Sequence, residues 1–307
     1  MSLMRPPLDP PPIDPAQVAL GIVAGLLETR TGQKLTADRA WRVGTALSGV
    51  MRRHQLGSLE ALVERLGTPG YASLAQQVVE ALLNNETYFF RDRAMFDQLP
   101  QRILPELHAR RRDTRRLAIW SVGCSTGQEA YSLAMTLAEQ GPRWRDWSID
   151  ILATDVAPSV VAAAREGHYS QFQIQRGLGA LQMVTHFEET RTGWQANAAL
   201  RAMVRFQTHN LLDLAPPPGR FDLILCRNVL LYFDRATRTR AFERLADALA
   251  PDGRLMLGAG ETTVGQTHAL APEPGSIGIY RAAGAVGAAA GAPRPRSASC
   301  ATSASRN

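Results

Sequence analysis

The chain has 307 residues, 45% hydrophobic and 20% charged, which is enough to bury one large core or two modest ones. No apolar run approaches the roughly 20 residues of a membrane-spanning helix, so membrane insertion is not expected. The three cysteines, Cys124, Cys226 and Cys300, form no disulfide framework and have no metal-ligand spacing. Cys124 and Cys226 sit in apolar segments and read as small buried thiols. The net charge of +6 would permit a nucleic-acid partner, but Lys34 is the single lysine and the arginines are spread along the chain. The densest run, Arg110–Arg116, reads as a helix end and connector, so neither a nucleic acid nor a metal is expected. The opening MSLMRPPLDPPPIDP lacks the basic-then-apolar layout of a secretion signal, and the protein is read as cytoplasmic. Met1–Leu3, ahead of Met4, read as a cloning remnant.

Residues 1–15 are proline-rich and expected to be irregular. From about Asp14 to Leu107 the pattern is helical, with Val18, Leu20, Ile22, Val23, Leu26 and Leu27 recurring near a 3.6 period. Gly32, Gly57, Gly67 and Pro69-Gly70 punctuate it. Thr36 or Asp38, then Ser58 or Ser73, are the candidate caps. A helical N-terminal domain is therefore expected over 16–95. Beyond Arg116 short apolar strands alternate with helices. The strands are expected at Leu117–Val122, Ser148–Thr154, Val204–Gln207, Phe221–Cys226, Gly253–Gly258 and Ile277–Arg281. The helices are expected at Thr126–Glu139, Ser159–Glu166 and Arg235–Leu249. That alternation implies an α/β domain over 96–282, a parallel sheet wrapped by helices. Between Tyr169 and Ala202 it is interrupted. Phe172, Ile174, Leu178, Met183, Phe187 and Trp194 suggest a small β-subdomain inserted at about 170–202, with a helix and a hairpin near Gly193. Residues 283–307 are Ala/Gly/Ser/Pro-rich without periodicity and read as a disordered tail.

The first strand runs into Gly123-Cys124-Ser125-Thr126-Gly127 and then a helix. A dinucleotide fold would want a third glycine, and a Walker phosphate loop would want Gly-Lys-Ser/Thr; neither is present. The pentapeptide does match G-x-S-x-G, the hydrolase nucleophile elbow, with Ser125 as nucleophile, Asp222 or Asp252 as acid and His268 as base. That elbow normally follows several strands, whereas here a helical domain precedes it. An S-adenosylmethionine site accounts for more. Its backbone turn must approach the ligand closely, a helix N-terminus must face the methionine carboxylate, and an acid at the second strand end must take the ribose hydroxyls. Asp155 ends the second strand, well beyond the roughly 20-residue interval of a dinucleotide fold. Its alternative is a helix cap before Pro158. Arg227-Asn228 leave the strand FDLILC where ligands sit in doubly wound sheets. The motif by which DNA amino-methyltransferases hold their acceptor is absent there.

The segments NNETYFFRD (84–92), GCSTGQEAYSLAM (123–135), ILATDVAPSVVAAAREGHY (151–169), VRFQTHNLLD (204–213) and FDLILCRNVLLYFD (221–234) occur in this order. Together they resemble the CheR-type chemotaxis-receptor glutamate methyltransferases, and the likeness runs from about Val18 to Arg281. The resemblance implies a Rossmann-like S-adenosylmethionine methyltransferase sheet with an N-terminal helical domain and an inserted β-subdomain. It implies that Asn85, Thr87 and Arg91 reach the cofactor from the segment joining the domains. Gly123, Glu129 and Asp155 would hold its amino-acid or ribose parts, Asn210 and Leu211 would border the adenine, and Arg227 and Asn228 would complete the pocket. Arg91 and Tyr232 would stand nearest the transferring methyl, orienting the acceptor carboxylate rather than moving protons. The implied product is S-adenosylhomocysteine, and the implied partners are the cytoplasmic helices of chemotaxis receptors, met by a monomer. Arg39, Arg42, Arg52, Arg53 and His54 form a basic face that suits acidic receptor helices, though it also reads as a solvated face. The stretch from Phe187 to Leu200 looks short for the receptor-pentapeptide site of some family members, so no tether is expected. Two other readings stay open: a cofactor-binding docking module without turnover, and an enzyme acting on a small carboxylate.

Overall fold

The computed structural model describes residues 14–213 and 220–284. The expectations for 1–13 and 285–307, and the expected cap at the Asp38 side chain, lie outside the described residues. Helix α1 (Pro15–Thr31) opens with Pro15 in its first turn and the Asp14 carboxylate accepting from Ala16 N at 3.0 Å. The helix therefore begins at Pro15, not after it. Then follow α2 (Ala37–Ala40), α3 (Val43–Arg53), α4 (Leu59–Leu66) and α5 (Ala72–Leu82). Thr36 stands at the N-cap of α2 without a side-chain bond, Ser58 caps α4 through Ala61 N, and Tyr71 rather than Ser73 precedes α5. These helices close around Val23, Leu27, Leu47, Leu62, Leu74 and Val78.

That core ends at Leu83. Phe89, Phe90 and Phe96 belong instead to the core beneath the sheet. The packing divide thus falls within 84–88 rather than at 95, because the two phenylalanines after Tyr88 bury into the larger domain. Short helices α6 (Arg93–Phe96) and α7 (Leu104–Arg110) lead to strand β1 (Arg116–Val122). Helix α8 (Gln128–Glu139), β2 (Ser148–Asp155) and α9 (Pro158–Glu166) follow. The inserted region carries β3 (His168–Tyr169), α10 (Gln171–Gln175), α11 (Ala180–His186), β4 (Phe187–Thr190), β5 (Gly193–Ala196) and α12 (Ala198–Ala202). Then come β6 (Val204–Thr208), β7 (Phe221–Cys226), α13 (Arg235–Ala248), β8 (Leu249–Leu257), β9 (Leu270–Pro272) and β10 (Ile279–Ala282).

The large sheet has seven strands in the order β6-β2-β1-β7-β8-β10-β9. The first five are parallel, and β10 and β9 add antiparallel at one edge. This is the expected doubly wound α/β sheet, and β1 and β7 flank its switch point. Both faces are covered, so Phe221–Cys226 is buried throughout. Strand β9 was not expected: three residues carry no periodic signal. The inserted sheet is β3-β5-β4, so its first strand lies before the expected boundary at 170. No helix among the described residues is long and apolar enough to cross a membrane.

The insertion touches the segment that joins the domains. Gly177, between α10 and α11, has φ +103° and packs directly on the backbone of Phe89, where an added Cβ would overlap the carbonyl oxygen. Arg176 beside it pairs with Glu86 at 2.7 Å and lies 4.3 Å over the Tyr88 ring. Gly177→Ala is expected to destabilise the protein by about 2–4 kcal/mol through strain and overlap. A thermal unfolding curve that matches the wild type would refute this.

Candidate functional site

Strand β1 ends in a turn that side chains would block. Gly123 has φ +70° and faces Val229, whose side chain an added Cβ would overlap. Gly127 has φ +93°, caps α8, and leaves room only because its missing Cβ would meet Ala164 at 3.0 Å. Between them Ser125 takes φ +50°. Its N–H donates to Asp155 Oδ2 at 2.9 Å and its hydroxyl donates to the Asn85 carbonyl at 2.7 Å. That hydroxyl is therefore spent on the domain junction, which removes the hydrolase reading. The proposed acids are equally committed. Arg111 donates to Asp222 at 2.7 Å and to Asp252 at 2.7 and 2.5 Å, at the opposite end of the sheet. His268 is exposed.

Asp155, 8% exposed, ends β2. Its second oxygen accepts from Ala157 N at 3.0 Å, and the N-cap of α9 is Ala157 itself. Asp155 thus ties the glycine turn to β2 rather than capping the helix. Burial pushes its carboxyl above the usual range, and the N–H groups of Ala157, Ser125 and Val156 oppose the rise.

At the β7 end the Arg227 side chain is 1% exposed. It donates to Glu129 at 3.2 Å, to Asp92 at 3.0 Å and to the Arg91 carbonyl at 2.5 Å. Glu129, in the first turn of α8, also accepts from the Ser121 hydroxyl at 2.8 Å. Burial raises the Glu129 carboxyl against the pull of Arg227 and Ser121. Arg227 also lines the pocket: its terminal nitrogens face these protein groups, while its Nε is buried without a protein partner.

Asn85, Thr87, Arg91, Gly123, Glu129, Asp155, Asn210, Leu211, Arg227, Asn228 and Tyr232 all line one cavity. It lies across the carboxyl ends of the central strands, roofed by residues 83–87. Residues 85–279 match the family described as "CheR methyltransferase, SAM binding domain".

This chain belongs to the CheR methyltransferase family. It is 37% identical to chemotaxis protein methyltransferase 1 of Pseudomonas aeruginosa, over 76% of this chain and 86% of that one. It is 34% identical to chemotaxis methyltransferases of Pseudomonas putida and Vibrio parahaemolyticus, each over 78% of this chain and 88% of the relative. As a CheR methyltransferase it uses S-adenosylmethionine. The cavity fits that ligand. Gln33 Oε1, His209 Nε2 and Asn228 Oδ1, on three residues that line it, are buried without a protein partner.

Several contacts of the site residues of this CheR chain escaped the sequence. Asn84 donates to the Tyr232 hydroxyl at 2.7 Å, and Arg39 lies 5.0 Å over the Tyr232 ring. Arg91 donates to the Glu86 carbonyl at 2.8 Å and lies 5.6 Å over Tyr88. Asn210 donates to the Arg30 carbonyl at 3.0 Å and accepts from Leu212 N at 2.9 Å, so it fastens α1 to the sheet. Glu261 is the largest omission. It accepts from the backbone N–H of Asn228 (2.8 Å), Val229 (3.0 Å), Leu230 (2.7 Å), Leu231 (3.3 Å) and Gly258 (2.8 Å). One carboxylate thereby shapes the loop that presents Asn228, at φ +58°, and Tyr232. The Gly-Ala-Gly-Glu stretch after β8 was its only sequence signal.

An amide can accept on one side only and would turn its NH₂ toward backbone donors. Glu261→Gln is therefore expected to cost about 2–3 kcal/mol of stability and to weaken S-adenosylhomocysteine binding. Calorimetry and thermal melts that both match the wild type would show that the loop holds itself.

Proposed function

We propose that this protein methylates glutamate side-chain carboxylates on chemotaxis receptors, giving glutamyl methyl esters and S-adenosylhomocysteine. The reaction serves sensory adaptation in the cytoplasm, and the enzyme works as a monomer. The observation that carries the reading is Arg91 and Tyr232 on the wall of the same cavity as Glu129 and Asp155, with Arg39 stacked behind Tyr232. The cofactor, when bound, supplies a methyl group on a positively charged sulfur. A glutamate carboxylate is already ionised at neutral pH, so no base is needed. The chain's part is alignment and exclusion of water. Asp155 takes the ribose hydroxyls. Glu129, Gly123 and the α8 N-terminus receive the amino-acid end, with Arg227 holding Glu129. Asn85 and Thr87 close the pocket from the domain junction, Asn210 and Leu211 border the base, and Asn228 completes the floor. Arg91 and Tyr232 orient the incoming carboxylate.

The basic face of the helical domain receives the receptor. The structure spreads it over two places. Arg39 and Arg42 line a groove that also contains Asn84 and Tyr232, whereas Arg52 and Arg53 are exposed at the far end of α3, about 15 Å along the helix. His54 is held by Gln77 at 3.2 Å. A receptor helix reaching Tyr232 therefore crosses Arg39 and Arg42 first. No pentapeptide tether is part of this proposal: the β4–β5 hairpin turns through Arg191-Thr192 alone.

Arg91→Ala is expected to lower methyl-ester release from purified receptor by at least about a hundredfold, the scale of a lost aligning group. Tyr232→Phe should lose less. Full activity of Arg91→Ala would remove its role, and failure of the wild type to label receptor would favour a small-molecule acceptor or a docking module. Charge reversal at Arg52 and Arg53 is expected to raise the KM for receptor with kcat unchanged; an unchanged KM would make that end of the helix a solvated surface.

A further inference from the structure

The order of the strand ends sets the order of the ligand. Moving from β7 across the switch point to the sheet edge, β7 presents Arg227-Asn228, β1 the glycine turn, β2 Asp155, and β6 the segment His209–Leu211. A ligand made of an amino acid, a ribose and a base, laid with its ribose on Asp155 and its amino-acid end by Gly123, brings the base over the end of β6. The apolar faces there are Leu211 and Phe233, both buried. The polar edge of the base must then meet something, and the Asn210 amide is already oriented by one bond to the Arg30 carbonyl and one from Leu212 N.

Two buried acceptor positions on this side have no partner. One is Gln33 Oε1 and the other is His209 Nε2. Gln33 follows α1 and is fixed by its backbone: it bridges to Phe233, its N–H donates to Thr31 Oγ1 at 3.1 Å, and Lys34 N donates to the Tyr232 carbonyl at 2.9 Å. His209 is fixed by its N–H on the Asp155 carbonyl at 2.9 Å. Its Nδ1 lies 4.0 Å from Asp213, and burial holds the ring below its usual pKa, so it is a neutral imidazole. With the proton on the Nδ1 side, Nε2 accepts.

We propose that Gln33 reads the exocyclic amine of the adenine, with His209 as the second acceptor, and that the helical domain thereby selects an adenosyl over a 6-oxopurine ligand. Adenine offers one group with two donor hydrogens, its 6-amine, which matches two unpartnered acceptors. A 6-oxo base would put a carbonyl there, and to meet it Gln33 must turn its amide round and His209 must move its proton to Nε2, away from Asp213. Gln33 lies outside the region that matches the family's cofactor-binding domain, residues 85–279, so this contact would be supplied by the other domain. The proposal rests on the ligand lying across the strand ends as described for the reaction above.

Calorimetry with two probes tests it without turnover: S-adenosylhomocysteine and its 6-oxo analogue, S-inosylhomocysteine. The wild type should bind the adenosyl probe at least about tenfold more tightly, the scale of one buried hydrogen bond. Gln33→Leu should weaken the adenosyl probe by about tenfold, leave the inosyl probe nearly unchanged, and so flatten the ratio. Equal affinity of the wild type for both probes overturns the proposal, and this arm needs no variant to fold. Equal weakening of both probes by Gln33→Leu also overturns it, because the contact would then be to the ribose. Binding of neither probe by the wild type would instead sink the assignment of the cavity.

Discussion

The site depends on one buried charge. Arg227 leaves β7 with its guanidinium enclosed and joins Glu129 on α8 to Asp92 and the Arg91 carbonyl in the segment between the domains. Three elements that are distant in sequence are thereby held in one register. A buried ion pair of this kind adds little net stability, because desolvating the charges offsets their attraction. Removing one partner is different, at about 3–5 kcal/mol, since it strands the other charge away from water. The network therefore enforces a geometry more than it strengthens the fold. What it enforces is the path of residues 85–92 over the carboxyl ends of the strands.

Other contacts act on the same path from other sides. Ser125 holds the Asn85 carbonyl from below. The inserted subdomain presses Gly177 against Phe89 and sets Arg176 on Tyr88 and Glu86. Phe89 and Phe90 anchor the segment in the sheet core, edge-on to Tyr169 and Phe96. The side chains left pointing to the cavity, Asn85, Thr87 and Arg91, are the ones whose neighbours are pinned. An alignment mechanism needs this arrangement, since it has little acid–base chemistry with which to compensate for a misplaced group.

The floor is organised by backbone donors gathered on carboxylates. Asp155 collects N–H groups from the glycine turn and from Ala157, just before α9. Glu261 collects five from the loop after β7 and the end of β8. Both loops contain non-glycine residues at positive φ, Ser125 and Asn228, which cost energy unless neighbouring contacts over-determine them. The carboxylates are those contacts. Asp155 also lines the cavity.

The parallel strands, the glycine turn and the order of the five motifs were legible in the sequence by itself. Each is a local pattern: an apolar run of strand length, a turn that excludes side chains, an acid at a strand end. Those patterns were enough for the doubly wound sheet, whereas most of the residues around the cavity came from the resemblance to a known family. They could not show which side chains face the ligand and which face each other. Arg227 and Asn210 read as ligand contacts, and the tertiary structure shows that each also bonds the protein, Arg227 to Glu129 and Asp92 and Asn210 to Arg30 and Leu212. Glu261, Gln33 and His209 stood in unremarkable surroundings and came to the site through pairings across long stretches of chain. The two-residue strand β3 and the divide at 84–88 belong to the same class. Register between segments far apart in sequence is set by packing and by the satisfaction of buried polar groups, and neither leaves a periodic trace along the chain.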